Sequence, residues 1–404
     1  MAMLSLHTSP LAQPGEGDSG GMNVYVRELA GSLAQAGVPT SVYVRRWRDD
    51  LPARVPVEPL LEVVHVPAGP ATLAKEDLPA IADDFADWVR HDVASRGEAT
   101  VLHANYWLSA VAAHRLKHEL GLPLVTTFHT LAAVKTAAGD HEPGDRATAE
   151  RAVAGCSDAV TASNRVEADH LIEHCGVDPS RIEIVPPGVD HAFFSPGDRT
   201  GARWALGLGA EPVLLFVGRV QPLKGLDVAV AALGAMEDQS VTLVVVGGPS
   251  GVGGEAEFRR VKEMVSELGL ERRVRFVDPQ PHHLLSTYYR AADLCVVPSR
   301  SESFGLVAAE AMACGTPVVA AAVGGLTTLI DQGNNGLLLA DRDPVSWAAA
   351  LDDLVGHPLR RAEMAAAAAE QGRRYTWSTT AARLRRVYSD LSHGRVEAVC
   401  GATR

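Results

Sequence analysis

The chain has 404 residues, of which 47% are hydrophobic and 21% are charged, and its formal net charge is −12. This length exceeds what one ordinary core holds, so we expect two domains, and the composition is that of a soluble globular protein. The acidic balance argues against a nucleic-acid binder, and no apolar run approaches the roughly 20 residues of a membrane-spanning helix.

The N-terminal residues and the cysteines indicate a cytoplasmic protein. Residues 1–7 lack the basic start and the small-residue cleavage site of a signal peptide, and they are interpreted as a first strand. The five cysteines show no paired metal-ligand spacing. Cys295 and Cys314 stand in apolar stretches and are expected to be reduced core residues. We therefore expect no metal site.

The first half of the chain has the pattern of parallel α/β units. Short Val, Ile and Leu runs alternate with longer Ala-rich stretches. The predicted strands are residues 1–6, 40–44, 63–66, 100–103, 124–127, 159–162 and 182–185, with helices such as 22–36 and 78–94 between them. The segment 185–190 is dense in proline and glycine and is interpreted as an interdomain linker.

A second α/β series follows this linker. Its predicted strands are residues 213–217, 241–246, 274–277, 294–297 and 317–321, and residues 347–391 are predicted to be helical. Near-continuous apolar strands imply sheets that are buried on both faces. We therefore predict two doubly wound, Rossmann-like domains facing a cleft, with ligands bound beyond the carboxyl ends of the strands.

Two cations follow the first strand of the second series. Arg219 and Lys224 lie in a loop that begins with Gly218 and ends with Gly225. Glycines let the backbone approach an anion that the two cations would neutralise. The alternative interpretation is two exposed charges on an ordinary loop, and the position at a strand's carboxyl end favours the anion site.

Two glutamates flank a predicted helix start. Gly305 precedes the helix, and the free N–H groups of such a helix N-terminus suit a diphosphate. Glu310, inside the helix, could accept hydrogen bonds from a ribose, and Glu302, in the preceding turn, could meet sugar hydroxyls. Alternatively, Glu302 caps the helix and Glu310 pairs with a neighbouring cation. Composition alone leaves these interpretations nearly even.

A glycine-rich loop follows the first strand and opens a helix. The spacing of Gly15, Gly17, Gly20 and Gly21 is not a dinucleotide fingerprint, because the loop is too long and no acidic residue ends the second strand. A loop that lets a phosphate or sugar approach the helix N-terminus fits better. His129 stands directly at another strand's carboxyl end, which makes it a stronger candidate than most single histidines.

Three stretches together resemble the retaining family 4 glycosyltransferases of GT-B fold: FVGRVQPLKG, SESFGLVAAEAMACGTPVV and GDSGGMNVYV. Within that family, NYWLSA and HTLAAVK look most like the actinobacterial enzymes of mycothiol biosynthesis. Those enzymes transfer N-acetylglucosamine from UDP-N-acetylglucosamine to inositol phosphate. The resemblance implies domain limits of 1–190 for an acceptor-binding domain and 191–375 for a nucleotide-sugar-binding domain. It also implies that residues 376–404 form a helix that returns to the first domain, and a tail.

The resemblance implies a set of site residues and no metal. The implied catalytic residues are His129, Arg219, Lys224 and Glu302. The implied donor-binding residues are Gly21, Arg219, Lys224, Gln280, Glu302, Phe304, Gly305, Leu306 and Glu310. The implied acceptor-binding residues are Asn23, Lys75, Tyr106, Thr130 and Arg146.

The substrates stay open at this point. Gln280 stands where the mycothiol enzymes usually carry Arg, so a GDP-sugar with a thiol acceptor such as ergothioneine is an alternative to UDP-N-acetylglucosamine and inositol phosphate. A sucrose-phosphate-type transferase and an inactive nucleotide-sugar sensor are further alternatives. A homodimer is expected only from the resemblance.

Overall fold

A computed structural model describes residues 1–15, 19–140, 142, 144–251 and 253–394. The chain divides into two compact units. The first comprises Met1–Ala12, Met22–Pro186 and the chain from Trp377 onward, and the second comprises Gln13–Gly21 and Pro187–Thr376. Gly17 of the glycine-rich loop and residues 395–404 of the predicted tail lie outside the described residues.

The described residues of the first unit form one eight-stranded sheet in the order β3-β4-β2-β1-β5-β6-β7-β8. Its neighbouring strands are parallel except for β3, which pairs with β4 in the antiparallel direction. The strands are β1 (Ala2–Leu4), β2 (Thr40–Arg45), β3 (Arg54–Glu58), β4 (Leu61–Val66), β5 (Leu102–Asn105), β6 (Leu124–Thr127), β7 (Ala159–Ala162) and β8 (Ile182–Ile184).

Helices follow most of these strands, and their apolar side chains bury both faces of the sheet. They are α1 (Gly21–Gln35), α2 (Ala82–Arg96), α3 (Trp107–Leu120), α4 (Ala132–Ala137), α5 (Arg146–Cys156) and α6 (Arg165–Cys175), with 3₁₀ helices at Lys75–Ile81 and Pro179–Arg181. Local sequence sets several of their ends. For example, α6 begins where the Asn164 side chain accepts a hydrogen bond from the Glu167 N–H, and it ends at the left-handed Gly176.

The second unit has a sheet in the order β11-β10-β9-β12-β13-β14, in which all neighbouring pairs are parallel. Its strands are β9 (Val213–Val217), β10 (Thr242–Val246), β11 (Val274–Val277), β12 (Leu294–Val297), β13 (Val318–Ala321) and β14 (Gly336–Leu339). Its helices are α7 (Arg199–Leu206), α8 (Leu226–Ala235), α9 (Gly254–Glu267), α10 (Leu285–Ala291), α11 (Leu306–Ala313), α12 (Leu326–Leu329), α13 (Pro344–Gly356) and α14 (Pro358–Gly372), with 3₁₀ helices at Pro222–Lys224 and His282–Leu284.

The last helix, α15 (Trp377–His393), belongs to the first unit. The Trp377 ring packs edge-on against Tyr25 at 5.6 Å, and the Tyr388 hydroxyl lies 2.6 Å from Nδ1 of His103. The hydroxyl of Thr380 donates to the Pro186 carbonyl. These contacts hold α15 against the first unit.

Both sheets are doubly wound, as predicted. In each, the first strand of the unit lies in the middle, and the chain winds outward first to one side and then to the other. The switch points lie between β1 and β5 and between β9 and β12, and loops at such points bind ligands in open α/β sheets. The sequence analysis missed β3 and β14. β3 is a short antiparallel edge strand with charged ends, and Gly336–Leu339 is four residues long.

Candidate active site

The loop after β9 carries the two predicted diphosphate ligands. Gly218 (φ 146°) and Gly225 (φ 70°) adopt conformations that side chains disfavour. A Cβ on Gly225 would lie 2.1 Å from the carbonyl oxygen of Pro298, which follows β12. This close approach brings the loops after β9 and β12 together at the switch point.

An ion pair joins these two loops. Nζ of Lys224 lies 2.7 Å from Oε2 of Glu302, and the Ser299 hydroxyl donates to the same oxygen at 3.2 Å. Both side chains are partly exposed, 27% for Lys224 and 18% for Glu302. The Glu302 carbonyl accepts a 2.8 Å hydrogen bond from Gly325 N–H, so the turn is fixed from a third loop. The predicted cation and sugar-binding carboxylate are therefore neighbours in the second unit.

Gln13, Gly20 and Gly21, which border the glycine-rich loop and belong to the second unit, lie beside this part of it. A Cβ on Gly20 would lie 3.2 Å from Nε of Arg219, and a Cβ on Gly21 would lie 3.3 Å from the side chain of Leu306. Earlier in the segment, the Gln13 side chain donates to the Pro279 carbonyl at 3.2 Å. The structure thus brings Gly21, Arg219 and Leu306 together.

Helix α11 begins directly after the Glu302 turn. Gly305, at φ 98°, precedes it, and its first N–H groups have no acceptor within the helix. This N-terminus is a site for negative charge. The Phe304 side chain is buried against Tyr375, with the ring centroids 5.4 Å apart. Phe304 could therefore contact a ligand through its backbone but not through its side chain.

Glu310 is buried inside α11, and two aromatic residues hold its carboxylate. Its Oε1 lies 2.6 Å from Nε2 of His282, and its Oε2 accepts a 3.0 Å hydrogen bond from the Tyr289 hydroxyl. Burial and the neighbouring Glu310 raise the pKa of Tyr289 well above its usual value, so this hydroxyl stays a donor. Phe194 packs on the His282 ring at 4.9 Å. His282 and Tyr289 were not among the predicted residues, because neither stands in a recognisable motif.

Gln280 lies in the same loop as His282, after β11. Its Nε2 donates to the Asp278 carbonyl within the loop at 2.9 Å, and the side chain is half-buried. The amide is thus held by its own loop in this structure.

His129 lies in the first unit, two residues after β6. Its backbone has φ 62°, unusual for a residue with a side chain. Its Nε2 lies 3.0 Å from Oδ1 of Asn105, and the Tyr25 ring packs edge-on against it at 4.7 Å. Burial, together with His103, lowers the pKa of His129 to about 3. The imidazole is therefore neutral at pH 7.

Three of the predicted acceptor residues form one cluster. The Arg146 guanidinium donates from Nη1 to the Tyr106 hydroxyl (3.1 Å) and from Nη2 to the Thr130 hydroxyl (3.0 Å) and carbonyl (2.8 Å). It also donates to two carboxylates, Glu142 from Nη1 and Glu150 from Nε. Arg146 is fully buried. All five of its N–H donors are thus engaged inside the protein.

The other two predicted acceptor residues have different surroundings. Asn23 is buried in α1, and its amide donates to the Thr8 hydroxyl and the Ser9 carbonyl, so it fixes the loop after β1. Lys75 is half-buried at the start of the Lys75–Ile81 helix.

One group of metal-ligand type occurs among the described residues. The side chains of His114 and His118 on α3 and Cys156 at the end of α5 have ligand atoms within 4.8 Å of one another. Each of the three has an interaction partner in this structure. None of them belongs to the predicted donor or acceptor residues.

Comparison of the fold with solved structures identifies the architecture. A sucrose-phosphate synthase from Thermosynechococcus elongatus superposes with a TM-score of 0.91 at 31% identity, covering 96% of this chain and 98% of that one. Anabaena HepE, solved with UDP and glucose, superposes with a TM-score of 0.77 at 22% identity, covering 96% and 100%, and this likeness shows the fold alone. The expected GT-B fold is confirmed.

Sequence comparison identifies the class. Residues 198–374 match the family described as Glycosyl transferases group 1, and residues 19–193 match Glycosyltransferase Family 4. The chain belongs to this glycosyltransferase family, and it is a retaining transferase that uses a nucleotide sugar and a small-molecule acceptor. No described helix is long and apolar enough to cross a membrane.

Curated relatives narrow the group further. A D-inositol 3-phosphate glycosyltransferase of Xylanimonas cellulosilytica is 45% identical to this chain, with 98% of this chain and 97% of that protein covered. A D-inositol 3-phosphate glycosyltransferase 2 of Catenulispora acidiphila is 44% identical, with 99% and 98% covered. The expected resemblance to the mycothiol-pathway enzymes is confirmed.

Proposed function

We propose that this chain transfers N-acetylglucosamine from UDP-N-acetylglucosamine to inositol phosphate. The acceptor follows the names of relatives that are 44–45% identical over nearly the whole chain. The observation that carries the donor site is the Lys224–Glu302 ion pair, which lies at the switch point of the second sheet directly before the N-terminus of α11.

The donor would be held by three features of the second unit. Arg219 and Lys224 would bind the diphosphate together with the first N–H groups of α11, and Gly21 leaves room for close approach. Glu310, held by His282 and Tyr289, would accept hydrogen bonds from the ribose. Glu302 would bind the sugar while remaining paired with Lys224. Backbone N–H groups of Gly305 and Leu306 would contact phosphate or sugar.

Charge movement in the reaction accounts for this arrangement. When the bond from the sugar to phosphate breaks, negative charge grows on the leaving nucleoside diphosphate, and Arg219, Lys224 and the α11 N-terminus would stabilise it. The sugar becomes cationic. Glu302 is bound to Lys224 and Ser299, which favours an electrostatic role over a nucleophilic one. We therefore propose front-face substitution, in which the leaving phosphate helps to deprotonate the acceptor hydroxyl, and His129 borders the sugar.

The acceptor side calls for a rearrangement. Tyr106, Thr130 and Arg146 lie together, but Glu142 and Glu150 already neutralise Arg146. A phosphate would therefore have to replace the Glu142 carboxylate, and Lys75 and Asn23 would add contacts. A cytoplasmic location and a homodimer stay predictions.

Gln280 bears on which nucleotide base the donor carries. Gln280 is held by its own loop carbonyl and offers an amide where the mycothiol-type enzymes usually carry a guanidinium. This observation favours one second candidate, a transferase that uses a GDP-sugar and a thiol acceptor such as ergothioneine.

Thermal unfolding with UDP and with GDP separates the two candidates. A ligand that binds only the native state at 100 times its Kd stabilises it by about 2.7 kcal/mol. We expect UDP to raise the melting temperature and GDP to have a much smaller effect. The reverse order would overturn the UDP assignment and favour the GDP-sugar candidate.

Turnover separates an enzyme from a silent sensor. Arg219→Ala should abolish sugar transfer, while Arg272→Ala, which changes an exposed arginine of the same unit, should match the wild type. A wild-type chain that binds UDP-sugars but never turns them over would be a sensor.

A further inference from the structure

Asn105 is the last residue of β5 and is fully buried beside His129. It pairs in register with Thr127 of the neighbouring strand β6, two residues before His129. The two parallel strands therefore deliver both side chains to the same edge of the sheet. Oδ1 of Asn105 lies 3.0 Å from Nε2 of His129, so a neutral ring protonated on Nε2 donates to the carboxamide.

The other half of the carboxamide is unsatisfied. Nδ2 of Asn105 is buried and has no hydrogen-bond partner among the described residues. A buried polar group without a partner costs folding free energy and is uncommon in native proteins. The adjacent backbone is unusual as well, since Tyr106 has φ 76° and His129 has φ 62°. Such conformations cluster at functional sites.

Two titratable neighbours of His129, His103 and Tyr25, have pKa values that keep them uncharged near pH 7. His103, also on β5, lies close enough to lower the pKa of His129, and burial lowers the pKa of His103 itself to about 3. Tyr25, from α1, packs on the imidazole, and burial raises its pKa well above the usual value. Asn105 is the neutral amide that completes this group. A carboxylate in its place would favour the imidazolium form of His129.

We propose that Asn105 is a positioning residue of the transferase, whose carboxamide holds His129 as the neutral Nε2–H tautomer and leaves Nδ2 to donate to an oxygen of the bound substrate. The proposal rests on the proposed function, in which His129 borders the transferred sugar. The sugar becomes cationic as the donor bond breaks, and an imidazolium beside it would oppose that charge. A neutral ring in a fixed orientation would not.

The protonation of His129 tests the proposal without any substrate. In ¹⁵N-histidine-labelled full-length chain, the His129 signals are assigned by their loss in His129→Gln, and ring nitrogens are followed by NMR against pH. In the wild type we expect the neutral Nε2–H tautomer throughout the folded pH range. Asn105→Asp should raise the pKa of His129 by about 1–3 pH units. Asn164→Asp, a matched change at the N-cap of α6, should leave the His129 signals unchanged.

Two NMR results would overturn the proposal. One is a wild-type His129 that is protonated at pH 7 or carries its proton on Nδ1. The other is an Asn105→Asp variant whose His129 titrates as in the wild type and in Asn164→Asp. Because no nucleotide sugar is involved, these results stand whether or not the proposed transfer reaction is correct.

Kinetics then test the positioning role. Asn105→Ala should lower kcat at least tenfold with little change in the KM for the donor, and Asn105→Asp should lose activity as pH falls through the raised pKa of His129. In a His129→Gln background, Asn105→Ala should cost less than in the wild type, because the part that acts through the ring is already missing and only the Nδ2 contact to substrate remains to be lost. A full additional loss in that background would contradict the positioning role. A folded wild-type chain that shows no sugar transfer would instead contradict the proposed function.

Discussion

The two units of this protein hold charge in different ways. In the second unit, Lys224 and Glu302 pair across loops while both stay partly exposed. In the first unit, Arg146 is fully buried, and Glu142, Glu150, Tyr106 and Thr130 occupy its donors. Both sheets are doubly wound, so the winding of the sheets does not explain the difference. In the proposed site, the second unit's ion pair is already open to a ligand, whereas Arg146 of the first unit would have to give up Glu142 before it could bind one.

The largest effect should come from breaking the first unit's buried cluster. Arg146→Met leaves the buried Glu150 carboxylate without its cation, while Glu142 keeps its ion pair with Lys135, and breaking a buried pair destabilises a protein by about 3–5 kcal/mol. Urea unfolding measures the loss, and Arg165→Met, which removes an exposed ion pair with Asp169, should cost at most about 1 kcal/mol. If Arg146→Met unfolds like the wild type and only the KM for the acceptor rises, Arg146 is a ligand-binding residue and the contrast between the units fails.

Removing a charge from the second unit's ion pair should lower the reaction rate and leave the stability of the fold largely unchanged. Lys224→Ala removes a cation from the leaving diphosphate and should lower kcat about 10²–10³-fold. Steady-state kinetics measure this change in kcat. Lys262→Ala is the control, because Lys262 lies on α9 over the ring of Phe258 and is not one of the proposed site residues. An unchanged kcat together with a lowered melting temperature would make the Lys224–Glu302 pair structural.

The buried histidines of the first unit make its stability dependent on pH. Burial lowers the pKa of His103 to about 3, whereas an unfolded chain has a value near 6.5. The unfolded state thus binds more protons, so stability is complete above pH 6.5 and falls as the pH drops toward 3, by about 1.4 kcal/mol per pH unit for each such histidine. His103→Gln keeps a hydrogen-bonding side chain beside Tyr388 and should remove that part of the slope between pH 6 and pH 5. Equal slopes in urea unfolding of variant and wild type would contradict the assignment.

The smallest predicted effect concerns the nucleotide. Glu310→Gln replaces a ribose-binding carboxylate by an amide and should weaken UDP and GDP binding equally, by about tenfold or 1.4 kcal/mol. Titration calorimetry measures both ligands, with Glu370→Gln on α14 as the control. A loss for only one nucleotide would show that Glu310 reads the base.

The sequence predicted more of the candidate site residues and their positions in the second unit than in the first. Two short motifs carry this site: Arg219 and Lys224 follow β9, and Glu302 and Gly305 follow β12. Because both motifs follow apolar parallel strands, the sequence alone predicts that they lie at the same edge of the sheet. The role of Asn105 depends on its register with β6 and on a contact with His129, and the partners of Glu310 come from a 3₁₀ helix and α10. Such contacts between distant segments leave no local pattern. The sequence also could not predict that protein groups occupy all the hydrogen-bond donors of Arg146, because this depends on the burial of its side chain.

We propose that this chain transfers a sugar from a nucleotide donor by means of the charges in its second unit. The most direct measurement is ³¹P NMR of UDP-N-acetylglucosamine mixed with inositol phosphate and the wild-type chain or Lys224→Ala. We predict acceptor-dependent release of UDP, a product whose ¹H NMR signals show the anomeric configuration of the donor, and release at least 100-fold slower with Lys224→Ala. Equal rates for the two folded chains, or no release from either UDP- or GDP-sugars by the wild type with inositol phosphate or a thiol acceptor, would contradict the account.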